Sequence, residues 1–183
     1  MRFDGDSVTR GAVQYEGGFR PFVLDALPAL RDVGPFYEYG YHRGVNGERA
    51  VDVDLGAYAE RLSTDRPDVI VIAWGENDLG TGVSSADLFA ALDALVGTAR
   101  RMRPSAMVVV LGVIAPGPAF PTYYQHSDEY RRHIDAEAAH WATRADAYVA
   151  GGAPEHSEDG VHLTRNGYAA VGAALAEAIR AVM

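Results

Sequence analysis

The stretch from position 68 to position 74 constrains the fold more than any other part of the sequence. It reads Asp-Val-Ile-Val-Ile-Ala-Trp and is apolar without interruption from position 69 onward. A run of that length without alternation is typical of a parallel strand covered on both faces. A similar run follows at 107–114, and the segment between them predicts a helix from Ser85, as N-cap, to Met102. Two parallel strands joined by a helix favour an α/β fold.

The remaining chain continues the alternation of strands and helices. Apolar spacing predicts further strands at 1–6, 36–39 and 147–149, and further helices at 18–30, 55–62, 127–145 and from Thr164 onward. The glycine-rich stretch 40–47 and the proline-rich stretch 115–124 are expected to be loops. We therefore predict a single domain, residues 1–183, with a three-layer α/β/α sandwich. Its sheet should be flavodoxin-like, mainly parallel and of about five strands.

Composition excludes several classes of function. The net charge is −9 and the chain contains no lysine, which argues against a general nucleic-acid binder. The cysteine count of zero removes disulfides, thiolate metal sites and cysteine nucleophiles. No apolar run approaches the roughly 18 residues of a membrane span, and little chain precedes position 7 for a signal peptide. A cytoplasmic location is expected, or secretion if an upstream signal segment belongs to the protein. The oligomeric state is left open.

Polar residues follow the predicted strands. Gly5-Asp6-Ser7 comes directly after the first strand, and Gly75-Glu76-Asn77-Asp78 directly after the strand at 68–74. In open parallel sheets, sites lie beyond the carboxyl ends of the strands, so these segments should meet at one edge.

A serine near neutral pH needs a base, a group that orients the base, and donors for the oxyanion that it creates. Asp159-Gly160-Val161-His162 offers an orienting carboxylate and a base, while Gly47 and Asn77 are candidate donors. The combination predicts a serine hydrolase that acts on an ester.

The four segments together resemble the SGNH hydrolases, the superfamily of GDSL esterases and lipases. Residues 5–11, Gly-Asp-Ser-Val-Thr-Arg-Gly, are similar to the first block of that family. Gly47 fits the second block, residues 75–78 the third and residues 159–162 the last, so the resemblance spans essentially the whole chain. Residues 17–21 and 42–47 are most similar to the branch of carbohydrate acetyl esterases of the acetylxylan type. The first strand, residues 1–4, is shorter than the family pattern.

The resemblance implies a role for each matched residue. Ser7 would be the nucleophile, His162 the general base and Asp159 the residue that orients His162. The oxyanion would be held by the backbone N–H groups of Ser7 and Gly47 and by the side-chain amide of Asn77. The implied substrate is a small-molecule or carbohydrate ester with a small, acetyl-like acyl group.

Other residues allow weaker hypotheses. Tyr123 and Tyr124 lie on the proline-bounded loop and are candidates for lining an acyl or sugar pocket. His133, Glu137 and His140 share a helical face, but we interpret them as a solvated face rather than a metal site. Asp6 is expected to support its turn, Asp78 to brace its loop and Trp74 to belong to the core. No metal or cofactor is predicted.

Two alternatives to hydrolysis remain open. The same triad could transfer the acyl group to an acceptor other than water, in the tailoring of a glycan or secondary metabolite. This differs from hydrolysis in water exclusion and acceptor binding. The fold could also belong to a flavodoxin-like ligand-binding module without turnover, in which Ser7, Asp159 and His162 would not be in contact. The chain lacks the Gly-x-Gly-x-x-Gly and Gly-x-x-x-x-Gly-Lys-[Ser/Thr] patterns of nucleotide sites.

Overall fold

A computed structural model describes residues 1–11, 15, 17–37, 40–117 and 119–183, with the backbone alone described at 37, 40, 41 and 121–125. The strands are β1 (Arg2–Gly5), β2 (Phe36–Tyr37), β3 (Gly40–Tyr41), β4 (Arg43–Gly44), β5 (Val69–Ala73), β6 (Met107–Leu111) and β7 (Ala147–Val149). The helices are α1 (Ser7–Arg10), α2 (Arg20–Ala26), α3 (Leu55–Asp65), α4 (Glu76–Gly80), α5 (Ser85–Met102), α6 (Pro121–Trp141) and α7 (Arg165–Val182). A 3₁₀ turn spans Ala50–Asp52.

The main sheet has five strands in the order β4-β1-β5-β6-β7, and every neighbouring pair is parallel. This confirms the predicted flavodoxin-like parallel sheet. Because all five strands point the same way, the segments that follow β1, β5 and β6 emerge at one edge. The blocks that begin with Asp6 and Gly75 lie there.

Alternation along β5 divides the core into two apolar layers. Val69, Val71 and Ala73 pack with α2 and α7, whereas Ile70 and Ile72 pack with α3, α5 and α6. All five side chains are at most 7% exposed. The uninterrupted apolar run is therefore explained by helices on both faces of the sheet, as the three-layer prediction requires.

The second strand of the main sheet differs from the prediction. Residues 36–39 were expected to supply it, but Phe36–Tyr37 instead pairs with Gly40–Tyr41 in a separate antiparallel sheet. The strand that pairs with the outer side of β1, opposite β5, is Arg43–Gly44, inside the stretch predicted as a loop. A Cβ at Gly44 would lie 2.8 Å from the carbonyl oxygen of Asp6, so only glycine lets this strand approach the start of α1.

Several helices begin at residues other than the predicted ones. The N-cap of α5 is Ser84, one residue before the predicted cap, and its hydroxyl accepts a hydrogen bond from Asp87 N at 3.1 Å. Helix α6 begins at Pro121 rather than near residue 127, with a non-helical break at His126, so the predicted loop is shorter. Proline is favoured in the first turn of a helix, where its missing N–H costs nothing. In the part of the chain described, no helix combines the length and apolarity needed to cross a membrane.

Candidate active site

The first block joins the end of β1 to α1 through a tight turn. Asp6 is fully buried and caps α1, since its Oδ1 accepts a hydrogen bond from Val8 N at 2.9 Å. This confirms its expected role in the turn. Ser7 is the first residue of α1 and is 7% exposed. Its backbone N–H donates to no backbone oxygen of the described residues.

Gly47 lies in a turn that is attached to the first block. Val45 N donates to Gly5 O at 3.1 Å, and Glu48 N closes the turn on Val45 O at 3.1 Å. Gly47 has φ +72°, which favours glycine, and a Cβ there would have no atom within 4 Å. Its N–H donates to no described acceptor. The turn therefore presents an open backbone donor on the same side of the sheet as Ser7.

Glu48 fixes this turn through its side chain. Arg43 binds it in a bidentate ion pair, with Nη2 2.9 Å from Oε1 and Nη1 3.2 Å from Oε2. The indole Nε1 of Trp74 donates to Oε2 at 3.3 Å. Trp74 is 2% exposed, which confirms it as a core residue. The role of Glu48 was not predicted, because nothing in the sequence links Glu48 to Arg43 or to Trp74.

Asn77 connects the first three blocks. Gly75 has φ +143° and starts the turn from β5 into α4. From α4, Asn77 Nδ2 donates to Asp6 Oδ2 at 3.1 Å and to the backbone oxygen of Glu48 at 3.2 Å. One amide group thus bonds the residue before Ser7 and the residue after Gly47. Both hydrogens of Nδ2 already have an acceptor in the protein.

Asp78 braces the segment after the Gly47 turn, as predicted. Its Oδ2 accepts from Ala50 N at 2.9 Å and its Oδ1 from Val51 N at 3.2 Å. Asp78 is fully buried, and burial raises its pKa against the lowering effect of these backbone hydrogen bonds. The carboxyl therefore serves the loop.

The fourth block forms an acid–histidine pair. His162 Nδ1 lies 2.7 Å from Asp159 Oδ2, and Asp159 Oδ1 accepts hydrogen bonds from Val161 N, His162 N and the Ser157 hydroxyl. Burial acts to raise the pKa of Asp159, but the hydrogen bonds from His162, Val161 and Ser157 outweigh it and hold the pKa below its usual range. Asp159 is thus an anion that fixes the ring of His162.

The other ring nitrogen of His162 is unpartnered. Nε2 is buried and has no hydrogen-bond partner among the described residues, so the structure contains no Ser7–His162 hydrogen bond. The loop that carries the pair is anchored on both sides. Gly117 N donates to Gly160 O at 2.6 Å, and Leu163, which is fully buried, packs in the same apolar layer as Val8.

Of the two weaker hypotheses, one stays a prediction and the other is wrong. The side chains of Tyr123 and Tyr124 lie outside the described residues, so their proposed pocket role stays a prediction. The solvated face expected for His133, Glu137 and His140 is wrong: His133 and Glu137 are 0% and 1% exposed, and His140 bonds Asp93 at 2.9 Å. Among the described residues, no three His, Cys, Asp or Glu side chains are grouped to hold a metal ion.

The sequence assigns the chain to a family. A sequence model of the GDSL-like lipase/acylhydrolase family matches residues 3–170. The protein is a carboxylic ester hydrolase. It belongs to the GDSL-like lipase/acylhydrolase family, which confirms the predicted membership of the SGNH superfamily. The chain matches none of the curated proteins with which it was compared.

Solved structures share the fold along nearly the whole chain. A carbohydrate esterase family 3 protein from Talaromyces cellulolyticus superposes with a TM-score of 0.79 at 17% identity, covering 99% of this chain and 96% of the other. A carbohydrate acetylesterase from Sinorhizobium meliloti gives 0.75 at 16% identity, covering 100% of both chains. The aryl esterase of M. smegmatis gives 0.72 at 20% identity, covering 99% and 98%. At these identities the likeness shows the fold alone.

Proposed function

We propose that the protein hydrolyses small-acyl esters of a sugar or another alcohol, with Ser7 as nucleophile, His162 as base and Asp159 as its orienting carboxylate. The observation that carries the proposal is the pair Asp159–His162, which is bonded at 2.7 Å through Nδ1 and leaves Nε2 buried without a partner. An imidazole held by a carboxylate on one nitrogen and free on the other is suited to take a proton from an alcohol.

The reaction follows from these groups. Ser7 Oγ attacks the acyl carbon while its proton passes to His162 Nε2, and Asp159 stabilises the imidazolium that forms. When the tetrahedral intermediate collapses, the alcohol leaves with the proton from Nε2 and the acyl group stays on Ser7. Water then attacks the acyl-enzyme through the same base, which releases the acid and restores Ser7. The Ser7–His162 hydrogen bond would form as substrate binds, since such bonds are often long in free enzymes.

Three donors are available for the oxyanion. The N–H groups of Ser7 and Gly47 donate to no described acceptor, which supports their use by substrate. Asn77 must redirect one of its two hydrogens from Asp6 or Glu48. Donors that are fixed before the reaction stabilise developing charge without a cost of reorganisation. The backbone donors of Ser7 and Gly47, whose turns are joined by the hydrogen bond from Val45 N to Gly5 O, meet that condition, and Asn77 is the donor that must reorganise.

Replacing Asn77 with alanine is expected to lower kcat by about 10²–10³-fold with little change in KM, because one oxyanion donor is lost. Steady-state kinetics with 4-nitrophenyl acetate measures the effect, and far-ultraviolet circular dichroism shows whether the fold is intact. Asn166→Ala, an exposed position on α7, is the matched control and should retain wild-type rates. A folded Asn77→Ala enzyme with kcat within about threefold of wild type would remove Asn77 from the oxyanion hole.

The small acyl group is supported by the structural neighbours. Two of them are named as a carbohydrate esterase and a carbohydrate acetylesterase.

Hydrolysis of 4-nitrophenyl esters from acetate to decanoate tests the proposed specificity. We expect kcat/KM to be highest for acetate and to fall by about tenfold or more by the octanoate ester, since a pocket that fits an acetyl group has no room for the surplus methylenes. A rise with chain length would contradict the small-acyl assignment. Adding simple sugars or alcohols to the reaction with 4-nitrophenyl acetate distinguishes hydrolysis from acyl transfer. If the acetyl group appears on the added alcohol instead of as free acetate, the enzyme is an acyltransferase.

A further inference from the structure

An exposed cation lies close to the acid–histidine pair and has no partner of opposite charge. Arg165 is the first residue of α7, three positions after His162, and it is exposed. Unlike Arg43, which is bound to Glu48, it makes no hydrogen bond or ion pair with any residue that the structure describes. The dipole of a helix disfavours a cation at its N-terminus, so helix stability does not explain an arginine at this position.

Two aromatic rings hold the guanidinium group of Arg165. Its Cζ atom lies 5.7 Å from the centroid of the Tyr15 ring and 5.8 Å from that of the Phe22 ring. The two rings are stacked on each other, with centroids 5.4 Å apart and an angle of 26° between their planes. A cation within about 6 Å of an aromatic face is attracted to the ring. This attraction uses none of the N–H donors of the guanidinium in a hydrogen bond, so all of them remain available to a ligand.

The aromatic pair is itself fixed by the core. Phe22 lies on α2, and a Cβ on Gly172 of α7 would lie 2.6 Å from the Phe22 Cβ, so only glycine lets the two helices approach this closely. The ring centroid of Tyr15 lies 6.3 Å from that of Tyr168, which is fully buried. Both rings of the pair are partly buried against the apolar layer that contains Leu163. The guanidinium is therefore held before a substrate arrives, which lowers the entropy cost of binding one.

The guanidinium lies where the segments that follow the proposed nucleophile and base meet. Gly18 N donates to Tyr15 O at 3.1 Å, and a Cβ on Gly11, which ends α1, would lie 1.8 Å from Gly18 N. Tyr15 therefore belongs to a turn that packs against the four-residue helix beginning with Ser7. On the other side, three positions separate the cation from His162, at most about 11 Å between Cα atoms. A substrate whose alcohol part extends from Ser7 toward α7 would meet the guanidinium.

We propose that Arg165 is a specificity-determining residue that binds an anionic group on the alcohol part of the substrate. The inference rests on the proposed esterase function and narrows its substrates to esters of acidic sugars. The carboxylate of such a sugar matches the planar guanidinium, which binds a carboxylate through two parallel N–H···O bonds. The anionic group belongs to the alcohol because the proposed acyl group is too small to extend to α7.

The overall charge of the protein makes a local cation necessary for such a substrate. The net charge is −9, so an anionic ester is repelled from the surface as a whole. Glu155 and Asp159 add negative charge to the loop that precedes Arg165. A preference for an acidic ester therefore depends on the guanidinium of Arg165 and is screened by salt.

Two esters that differ only at C6 of the sugar test the proposal. They are O-acetylated methyl glucuronoside, with a carboxylate at C6, and O-acetylated methyl glucoside, with a hydroxymethyl group there. Release of acetate gives kcat/KM for each ester. The wild type should prefer the acidic ester by about tenfold at about 20 mM salt, mostly through a lower KM, and by about twofold at about 0.5 M salt.

Arg165→Gln should lose this preference. Its kcat/KM for the acidic ester should fall by about tenfold, while the neutral sugar ester and 4-nitrophenyl acetate stay within about twofold of wild type. Arg180→Gln, an exposed arginine in the last turn of α7, is the matched control and should keep the wild-type preference. Both variants should unfold within about 2 °C of the wild type, because substitutions at the surface change stability little.

The neutral substrates separate failure of this proposal from failure of the esterase assignment. If the neutral esters are hydrolysed but the wild type shows no preference for the acidic ester at low salt, the role of Arg165 is refuted and the esterase function stands. The same conclusion follows if Arg165→Gln keeps the preference. No turnover of any of the three esters would refute the esterase function and, with it, the proposed substrate class.

Discussion

Replacing Ser7 with alanine is expected to lower kcat for ester hydrolysis by about 10⁶-fold, because no other group can form the acyl-enzyme. The fold should be unaffected. Ser7 is the first residue of α1, and alanine favours a helix at least as well as serine does. The capping bond of α1 comes from Asp6 and is also retained. Hydrolysis of 4-nitrophenyl acetate, with the buffer rate subtracted, measures the loss.

The control for contaminating esterase is Ser63→Ala, purified in parallel. Ser63 is exposed on α3, and its variant should match wild type. Intact-protein mass spectrometry after rapid quenching gives an independent readout, since the wild type should carry one acyl group and Ser7→Ala none. A Ser7→Ala enzyme within about tenfold of wild-type kcat, or an acyl group on it, would remove Ser7 as the nucleophile.

Replacing Asp159 with asparagine is expected to lower kcat by about 10⁴-fold with a small effect on KM. Asp159 Oδ1 accepts from Val161 N and His162 N, so the oxygen of an asparagine would be held at that position. Its NH₂ group would then face His162 Nδ1. The ring would accept that hydrogen bond and carry its own proton on Nε2, which is the wrong tautomer for a base.

The matched control is Glu158→Gln, an exposed residue of the same turn, which should keep wild-type kinetics. Stability gives a second prediction for Asp159. Its native pKa is lowered, so its contribution to the free energy of unfolding is present above the ordinary aspartate pKa and is lost as pH falls toward the native value. Asp159→Asn should flatten that acidic decline. Wild-type kcat in Asp159→Asn would show that His162 needs no orienting carboxylate.

Patterns of neighbouring residues were enough to predict most strands and helices of the α/β sandwich. The apolar run at 68–74 implied a strand with helices on both faces, because a strand with apolar side chains on both sides has to be covered on both sides. Thr164 caps α7 as expected, with Gly167 N donating to its hydroxyl at 3.2 Å. The strand Arg43–Gly44 was missed because two residues without an apolar pattern give no signal of their own. It exists through its pairing with β1.

The residues of the candidate site also fall into two groups, those that the sequence predicts and those that it does not. Ser7, Asn77, Asp159 and His162 could be picked from the sequence, since nucleophile, donor, acid and base are residue types that the chemistry demands. The residues that hold them in place could not be predicted from the sequence. Glu48 reaches Trp74 across 26 positions, and Asn77 reaches Asp6 across the space between two neighbouring strands. Such contacts depend on the register of β1 against β5.

The parallel α/β fold and the reactive residue types follow from the sequence, because hydrophobic period, capping and nucleophile chemistry depend on neighbouring residues. Which buried groups contact one another depends on how distant segments pack. The position of the Asn77 amide is one example. Its hydrogen bonds join Asp6 and Glu48, which lie 71 and 29 positions away, so they form only when the parallel strands bring these segments to one edge of the sheet.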